Sequence, residues 1–161
     1  MKRVFVLVLV LMLCSVALAE IKIDDVLLDF GIYTDIFAVP ELDLDSADIR
    51  TSGVKPWTAQ FSCQDGSIFV YFSSDDGNTI NMMLCTCSDE SKILDFIAYC
   101  CSITLYLYGH QNVEPMFGNI LFNYMMIRAG GDPIAYISNA GDMFRMVCED
   151  GIYKFTAIRS A

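Results

Sequence analysis

Positive charge is scarce in this sequence. Ten Lys and Arg residues stand against 20 Asp and Glu residues, giving a formal net charge of −10, and there is a single histidine. An excess of negative charge repels DNA, RNA and anionic lipid surfaces. We therefore expect no nucleic-acid partner.

The common motifs of catalysis and metal binding are missing as well. The sequence has no Walker loop, dinucleotide-binding glycine pattern, H-E-x-x-H motif or EF-hand. No serine lies in a G-x-S-x-G context. Cys85-Thr86-Cys87 does not have the spacing of a zinc site. We therefore expect no metal and no cofactor, and an enzyme is the less favoured interpretation.

The one long apolar run is at the N-terminus. Lys2 and Arg3 precede the uncharged segment Val4–Val16, and Ala17-Leu18-Ala19 has the small-x-small pattern that signal peptidase cuts. The 16 uncharged residues up to Ala19 are fewer than the ~20 that span a bilayer. This pattern predicts a signal peptide over residues 1–19, cleavage between Ala19 and Glu20, and a secreted or otherwise extracytoplasmic protein.

The predicted mature chain is acidic and has the length of one domain. Loss of Lys2 and Arg3 leaves eight basic residues against 20 acidic ones, a net charge of −12. Its longest apolar stretch, Phe96–Tyr108, suits a buried helix rather than a transmembrane segment. We expect an acidic segment over residues 20–56 and a single α+β domain over residues 57–161. In the acidic segment we expect one short helix closed by Gly31, followed by a charged connector over Leu42–Asp48.

Asp-Gly pairs between apolar runs predict β-hairpins in the mature chain. Two-residue turns at Asp65-Gly66 and Asp150-Gly151 give each hairpin one apolar face. The predicted pairs are Cys63–Ile68, Phe61–Val70 and Ala59–Phe72 in the first hairpin, and Cys148–Tyr153, Met146–Phe155 and Phe144–Ala157 in the last.

The turn at Asp76-Gly77 leaves two registers open. A two-residue loop places Phe72 opposite Asn81, whereas a three-residue loop through Asn78 places it opposite Met82. The second register also pairs Val70 with Leu84. Because it keeps apolar residues together, we favour the three-residue loop.

Two helices are predicted between the sets of strands. Ser88 is a suitable N-cap for the first helix, and Gly109 ends it. The second runs from about Glu114 to Arg128 and is apolar nearly all round, which indicates burial on several sides. A short strand follows over Pro133–Ser138. The predicted fold is α+β: three strands, two helices and three strands, with an antiparallel sheet of about six strands and both helices on one face.

Six cysteines remain in the mature chain, and an even number in an oxidising compartment permits disulfides. Most of them lie within predicted strands or helices beside large apolar residues, where a thiol behaves as a small hydrophobic group. Buried free thiols are the favoured interpretation, and disulfides stay open.

One candidate binding patch follows from the favoured register. Phe69, Tyr71, Met83 and Cys85 fall on the sheet face opposite the apolar side of the first hairpin. An exposed apolar patch of this kind marks a partner or ligand site. The alternative is that the N-terminal segment covers it through Val26, Leu27 and Phe30.

The leading functional hypothesis is a non-enzymatic exported protein that binds another protein or a small apolar ligand. A second hypothesis is a secreted hydrolase or thiol enzyme that uses His110 or a cysteine. A third is a structural component that self-associates, as a homodimer, through the same sheet face.

Overall fold

The computed structural model describes residues 23–50, 57–75, 79–109, 113–138 and 141–160. The predicted signal peptide, its cleavage site between Ala19 and Glu20, the turn residues 76–78 and His110 lie outside these ranges.

The described chain forms an α+β fold, as the sequence predicted, with three helices and an antiparallel sheet of seven strands. The helices are α1 (Ile23–Ile36), α2 (Ile93–Tyr108) and α3 (Val113–Arg128), and a 3₁₀ turn over Glu90–Lys92 precedes α2. The strands are β1 (Leu42–Arg50), β2 (Trp57–Cys63), β3 (Ile68–Ser74), β4 (Met82–Cys87), β5 (Tyr136–Ile137), β6 (Met143–Glu149) and β7 (Ile152–Ile158).

The strand order across the sheet is β1-β2-β3-β4-β7-β6-β5. Two antiparallel meanders, β1 to β4 and β5 to β7, therefore meet where β4 pairs with β7. The chain crosses between them through α2 and α3, which confirms the predicted order of three strands, two helices and three strands in this part of the chain. Strand β5 is only two residues long, shorter than the predicted strand over Pro133–Ser138.

The additional strand is β1, where a charged connector was expected, so that expectation is wrong. Leu42 lies opposite Cys63 and Ile49 opposite Ala59, so these apolar residues have partners on the helix-facing side of β2. A bulge between Asp43 and Asp48 interrupts the pairing. Aspartate is depleted in strands, which explains why the sequence did not indicate one here.

The outer two hairpins have the predicted registers. Phe61 lies opposite Val70 in the first, and Met146 lies opposite Phe155 in the last. Asp150 and Gly151 adopt φ values of 54° and 79°. Positive φ at both central residues is what a type I′ turn requires.

The middle register is one residue away from the favoured one. Phe72 lies opposite Met83, not Met82, and Val70 lies opposite Cys85, not Leu84. Because side chains alternate between faces along a strand, this shift reverses the orientation of every residue in β4. Met83 and Cys85 therefore face the helices and are fully buried.

All three helices pack on one face of the sheet. The ring of Phe30 in α1 packs edge-to-face against that of Phe72, with 5.4 Å between centroids. The rings of Phe96 in α2 and Tyr124 in α3 each lie 6.1 Å from that of Tyr153. Since Phe72 and Tyr153 are both buried and lie on the same side of the sheet, the core is a single layer between the sheet and the helices.

Helix α1 differs from the predicted short helix. It continues through Gly31 to Ile36, and Phe30 is buried against Phe72 and Tyr106. Ser102 of α2 donates a hydrogen bond of 3.2 Å to the carbonyl oxygen of Tyr33, which ties the two helices together. This part of the acidic segment thus belongs to the same core as the strands from residue 57 onward.

The cap before α2 and the exposure of α3 both differ from the prediction. Asp89, not Ser88, caps the turn before α2, because its carboxylate accepts a hydrogen bond from the Ser91 amide at 2.9 Å. Helix α3 is not buried on several sides, since Phe122 and Met125 are exposed. Within the described ranges, no helix is long and apolar enough to cross a membrane.

Candidate functional site

The side of the sheet opposite the helices carries no packed layer in the described part of the chain, and we call it the open face. Its side chains are those that alternate with the buried, helix-facing residues of each strand. Six of them form its centre: Gln60 of β2, Phe69 and Tyr71 of β3, Leu84 and Thr86 of β4, and Thr156 of β7.

An apolar patch occupies the middle of the open face. Tyr71 lies opposite Leu84, and Phe69 lies opposite Thr86 on the neighbouring strand. Phe69 is 38% exposed, whereas Tyr71 and Leu84 are half-buried by their neighbours. With Gln60, these residues line a shallow depression of about 220 Å³. The centre of this face is therefore shallow and amphipathic.

The structure places the four residues of the predicted patch on two different sides of the sheet. Phe69 and Tyr71 lie on the open face, but Met83 and Cys85 are buried under the helices, and Leu84 and Thr86 take their places. Both alternating sets of β4 are rich in apolar residues, so the pattern alone could not decide which set faces the core. The pairing of β4 with β7 decides it, because that pairing puts Cys85 beside Phe155.

The described part of the N-terminal segment, residues 23–50, does not cover the patch. Val26 and Phe30, two of the residues expected to form the cover, are buried in the core on the other side of the sheet. Leu27 packs at the edge of that same core. The aromatic side chains of the open face consequently have no cover from α1.

Charge is balanced on the open face, in contrast to the rest of this acidic chain. Arg50, Arg145 and Lys154 lie there, together with Asp43, Asp48 and Glu149. Arg50 pairs with Asp48 at 2.9 Å, and Lys154 pairs with Glu149 at 2.7 Å. The hydrogen bond and charge of Arg50 lower the pKa of Asp48. These exposed pairs place both signs of charge around the apolar centre.

A second cavity, of about 420 Å³, lies at the turn of the first hairpin beside the start of α2. The thiol of Cys63 donates to Asp65 Oδ1 at 2.9 Å, and the Ser67 hydroxyl donates to the same oxygen at 2.5 Å. Lys92 Nζ lies 2.9 Å from Asp65 Oδ2. Together these donors, the thiol first among them, hold the pKa of Asp65 well below its usual range.

This arrangement does not resemble an activated thiol. A nucleophilic cysteine needs a neighbouring base or a positive environment that favours the thiolate. Asp65 is a weak base here because its negative charge is already stabilised by Ser67 and Lys92. The carboxylate also repels a thiolate at Cys63.

Three of the other buried thiols have raised pKa values. Burial raises the pKa of Cys101 to about 12, and it raises the pKa of Cys100 and Cys87. All six cysteines of the described ranges are free, and only Cys148 is exposed. His110, the other residue proposed for catalysis, lies outside the described residues. Within those residues, no cluster of three or more His, Cys, Asp or Glu side chains could hold a metal ion.

Comparison with known proteins adds no further assignment: no family model matches the chain, and no match is found among curated proteins or solved structures.

Proposed function

We propose that this protein is an exported, non-enzymatic binding module that takes a protein partner on the open face of its sheet. The observation that carries the proposal is a sheet face that none of the described residues covers, with Phe69, Tyr71 and Leu84 at its centre and charges of both signs around them. Apolar centres with polar rims are the usual anatomy of protein interfaces.

The shape of the site favours a protein over a small apolar ligand. The depression at Tyr71 and Leu84 holds about 220 Å³. Pockets for small ligands are typically ~300–1,000 Å³ and enclose most of the ligand. The six strands other than the two-residue β5, at ~4.8 Å spacing and ~20 Å length, give a footprint of roughly 500 Å². A footprint of that extent suits another protein surface.

The aromatic content of the patch also favours a protein partner. Tyr and Phe are enriched in the fully buried cores of interfaces, and Tyr is frequent among the residues that dominate binding energy. Tyr71 presents its ring and hydroxyl together, so it can contribute apolar contact and a hydrogen bond. The balanced charges leave a partner of either net charge able to approach this face.

Self-association is the second candidate, and the same charge balance favours it. Two copies that meet through their open faces each present basic and acidic side chains, such as Arg50 with Asp48 and Lys154 with Glu149, without the repulsion expected elsewhere on an acidic chain. Measurement of the oligomeric state therefore distinguishes self-association from binding of a separate partner.

Export is the other half of the proposal, and the sequence supports it. Lys2 and Arg3, the apolar run to Val16 and the Ala17-Leu18-Ala19 site have the order of a secretory signal. The N-terminal sequence of the protein recovered outside the cytoplasm tests this directly. We expect it to begin at Glu20.

Photocrosslinking at matched positions tests the binding surface. In one variant a photoreactive amino acid replaces Leu84 on the open face. In a second variant it replaces Leu94, which is 76% exposed on α2. We expect a discrete crosslinked protein from position 84 and not from position 94. The partner is then purified, and its affinity is measured for the wild type, Leu84→Gln and Leu94→Gln.

Each result of this experiment decides between the candidates. Binding lost in Leu84→Gln and kept in Leu94→Gln supports the open face as the site. Crosslinking to a second copy, with concentration-dependent sedimentation, assigns self-association instead. Equal affinity of both variants, or no crosslink together with a monomer at all concentrations, rejects the proposal. Thermal unfolding of Leu84→Gln confirms that the variant is folded.

A further inference from the structure

A second surface, separate from the open face, lies between helix α1 and the edge strand β1. The groove between them has a volume of about 410 Å³. Its apolar lining consists of Leu27, Leu28, Phe30 and Ile32 from α1, and Leu42 and Leu44 from β1.

Three of these apolar side chains are open to solvent. Leu28 is 72% exposed, Leu44 is 63% exposed and Ile32 is 58% exposed. Leu27 and Leu42, by contrast, pack against the hydrophobic core. The groove therefore has an anchored apolar floor and exposed apolar walls, so an occupant can bury further apolar surface there.

The groove runs beside an open sheet edge. Strand β1 is the first strand in the sheet order, and none of the described strands pairs with its outer side. Such an edge presents backbone N–H and C=O groups to an incoming strand. A peptide that adds to a sheet edge gains main-chain hydrogen bonds, while its alternate side chains enter neighbouring pockets.

The charged residues that line the groove are both acidic. Between Ile23 and Ile49 the sequence contains eight acidic residues and no basic residue. Only Asp48 of this group forms an ion pair within the described residues, with Arg50. Asp35 and Glu41 line the groove itself, and Asp43 and Asp45 lie on β1. An occupant with positive charge is therefore favoured.

We propose that this groove binds an extended segment of another protein in which basic and apolar residues alternate. The segment adds to the outer edge of β1, its apolar side chains contact Leu28, Ile32 and Leu44, and its basic side chains face the carboxylates. Alternation is required because successive side chains of a strand point to opposite faces. The groove shares no lining residue with the apolar patch of the open face, so this proposal stands independently of the first.

A second copy of this chain is disfavoured as the occupant. Pairing β1 with another β1 would set Asp43, Asp45 and Asp48 of one copy against the same residues of the other. Like charges across paired strands are destabilising, and charged edge strands protect proteins against self-pairing. An anionic lipid surface is disfavoured for the same electrostatic reason.

A synthetic peptide provides the probe. Binding of a labelled ten-residue peptide of alternating Lys and Val is measured by fluorescence polarisation against the predicted mature protein, residues 20–161. Peptides with Ser in place of Val, and with Glu in place of Lys, test the apolar and the charged contributions separately. We expect the Lys–Val peptide to bind at least about tenfold more tightly than either control.

Matched variants locate the site of binding. The double variant Leu28→Gln/Ile32→Gln should weaken Lys–Val peptide binding by about tenfold or more, because it removes two exposed apolar walls. Met125→Gln, at a residue that is 68% exposed on α3, should leave it unchanged. Leu84→Gln should also leave the affinity for the Lys–Val peptide unchanged. Failure of the groove proposal can therefore be distinguished from failure of the open-face proposal.

Methylated peptides test the strand geometry. In an extended segment, the N–H groups of alternate residues point to opposite edges, so only one set faces β1. One peptide is N-methylated at the backbone nitrogen of every Val, and a second at the backbone nitrogen of every Lys. Only one of these two peptides should therefore lose binding. Equal binding of the Lys–Ser peptide, or an unchanged affinity of Leu28→Gln/Ile32→Gln, overturns the proposal. Loss of binding in both methylated peptides, or in neither, overturns strand addition.

Discussion

Cys85 of β4 lies directly opposite Phe155 of β7, and both side chains are fully buried beneath the helices. This pair joins the two meanders of the sheet and aligns their helix-facing sides. Its position determines which residues of β4 are in the core and which are on the open face.

The first prediction tests that alignment. Met83→Ala should lower the free energy of unfolding by about 2–5 kcal/mol, because it leaves a cavity in a fully buried site. Leu84→Ala removes a half-buried side chain on the open face and should cost roughly 1 kcal/mol. Urea unfolding of both variants measures the difference. A larger loss for Leu84→Ala would mean that β4 has the opposite register.

Sequence reasoning succeeded where local chemistry determines the structure. The Asp-Gly pairs marked the turns of the outer hairpins, where Gly66, Asp150 and Gly151 adopt positive φ, and glycines after Tyr108 and Arg128 marked the helix ends. It failed for β4, because the register there depends on a pairing with β7. That strand is far away in sequence, and both faces of β4 carry apolar residues.

The N-terminal segment shows the same limit. Its aspartates indicated a connector, but pairing with β2 makes Leu42–Arg50 a strand. Phe69 and Tyr71 of the candidate site could be found from alternation alone, since β3 lies next to a well-defined turn. Leu84 could not be placed without the pairing of β4 with β7.

The second prediction concerns thiol reactivity. Under native conditions one cysteine of the mature protein, Cys148, should react rapidly with an alkylating reagent, because the other five are buried. Burial also raises the pKa of Cys101 to about 12, which keeps it as an unreactive thiol at neutral pH. Intact mass after alkylation, with and without urea, counts the modified sites. A mass 2 Da lower than that of the reduced chain would reveal a disulfide and contradict the free thiols.

The third prediction is a pH dependence at Asp65. Hydrogen bonds from Cys63 and Ser67 and the pairing with Lys92 lower its pKa in the folded protein. Its stabilising contribution should be fully present above the pKa of an unfolded aspartate, about 3.9, and decline as the pH falls below that value. Asp65→Asn should therefore be less stable than the wild type at pH 7, and the difference should narrow below pH ~4.

Urea midpoints at several pH values measure this effect. Asp132→Asn, at an exposed carboxylate between α3 and β5, is the matched control and should track the wild type. A difference between Asp65→Asn and the wild type that stays constant down to pH ~2 would contradict the assignment.

The fourth prediction concerns the buried amide of Asn123 in α3. Its Nδ2 donates to Asn119 Oδ1 at 2.7 Å and to the carbonyl oxygen of Ile134 at 2.8 Å, and its Oδ1 accepts from the Ile134 amide at 2.7 Å. Asn123→Ala leaves the backbone groups of Ile134 without partners and should destabilise the fold by about 2–3 kcal/mol. Asn119→Ala removes one hydrogen bond and should cost about 1 kcal/mol. Equal losses in thermal unfolding would argue against this bridge from α3 to the segment before β5.

The meeting of β4 and β7 also has a consequence for how the chain folds. Met82 and Ile158 are neighbours in the sheet although roughly 70 positions separate the two strands in the sequence. Each meander can form from local turns, but neither completes the core until the last strand is present. We expect slow, late closure of the sheet after faster hairpin formation, because distant contacts carry a large loop entropy. A newly made chain thus passes through an interval without a finished core, which is compatible with the proposed export.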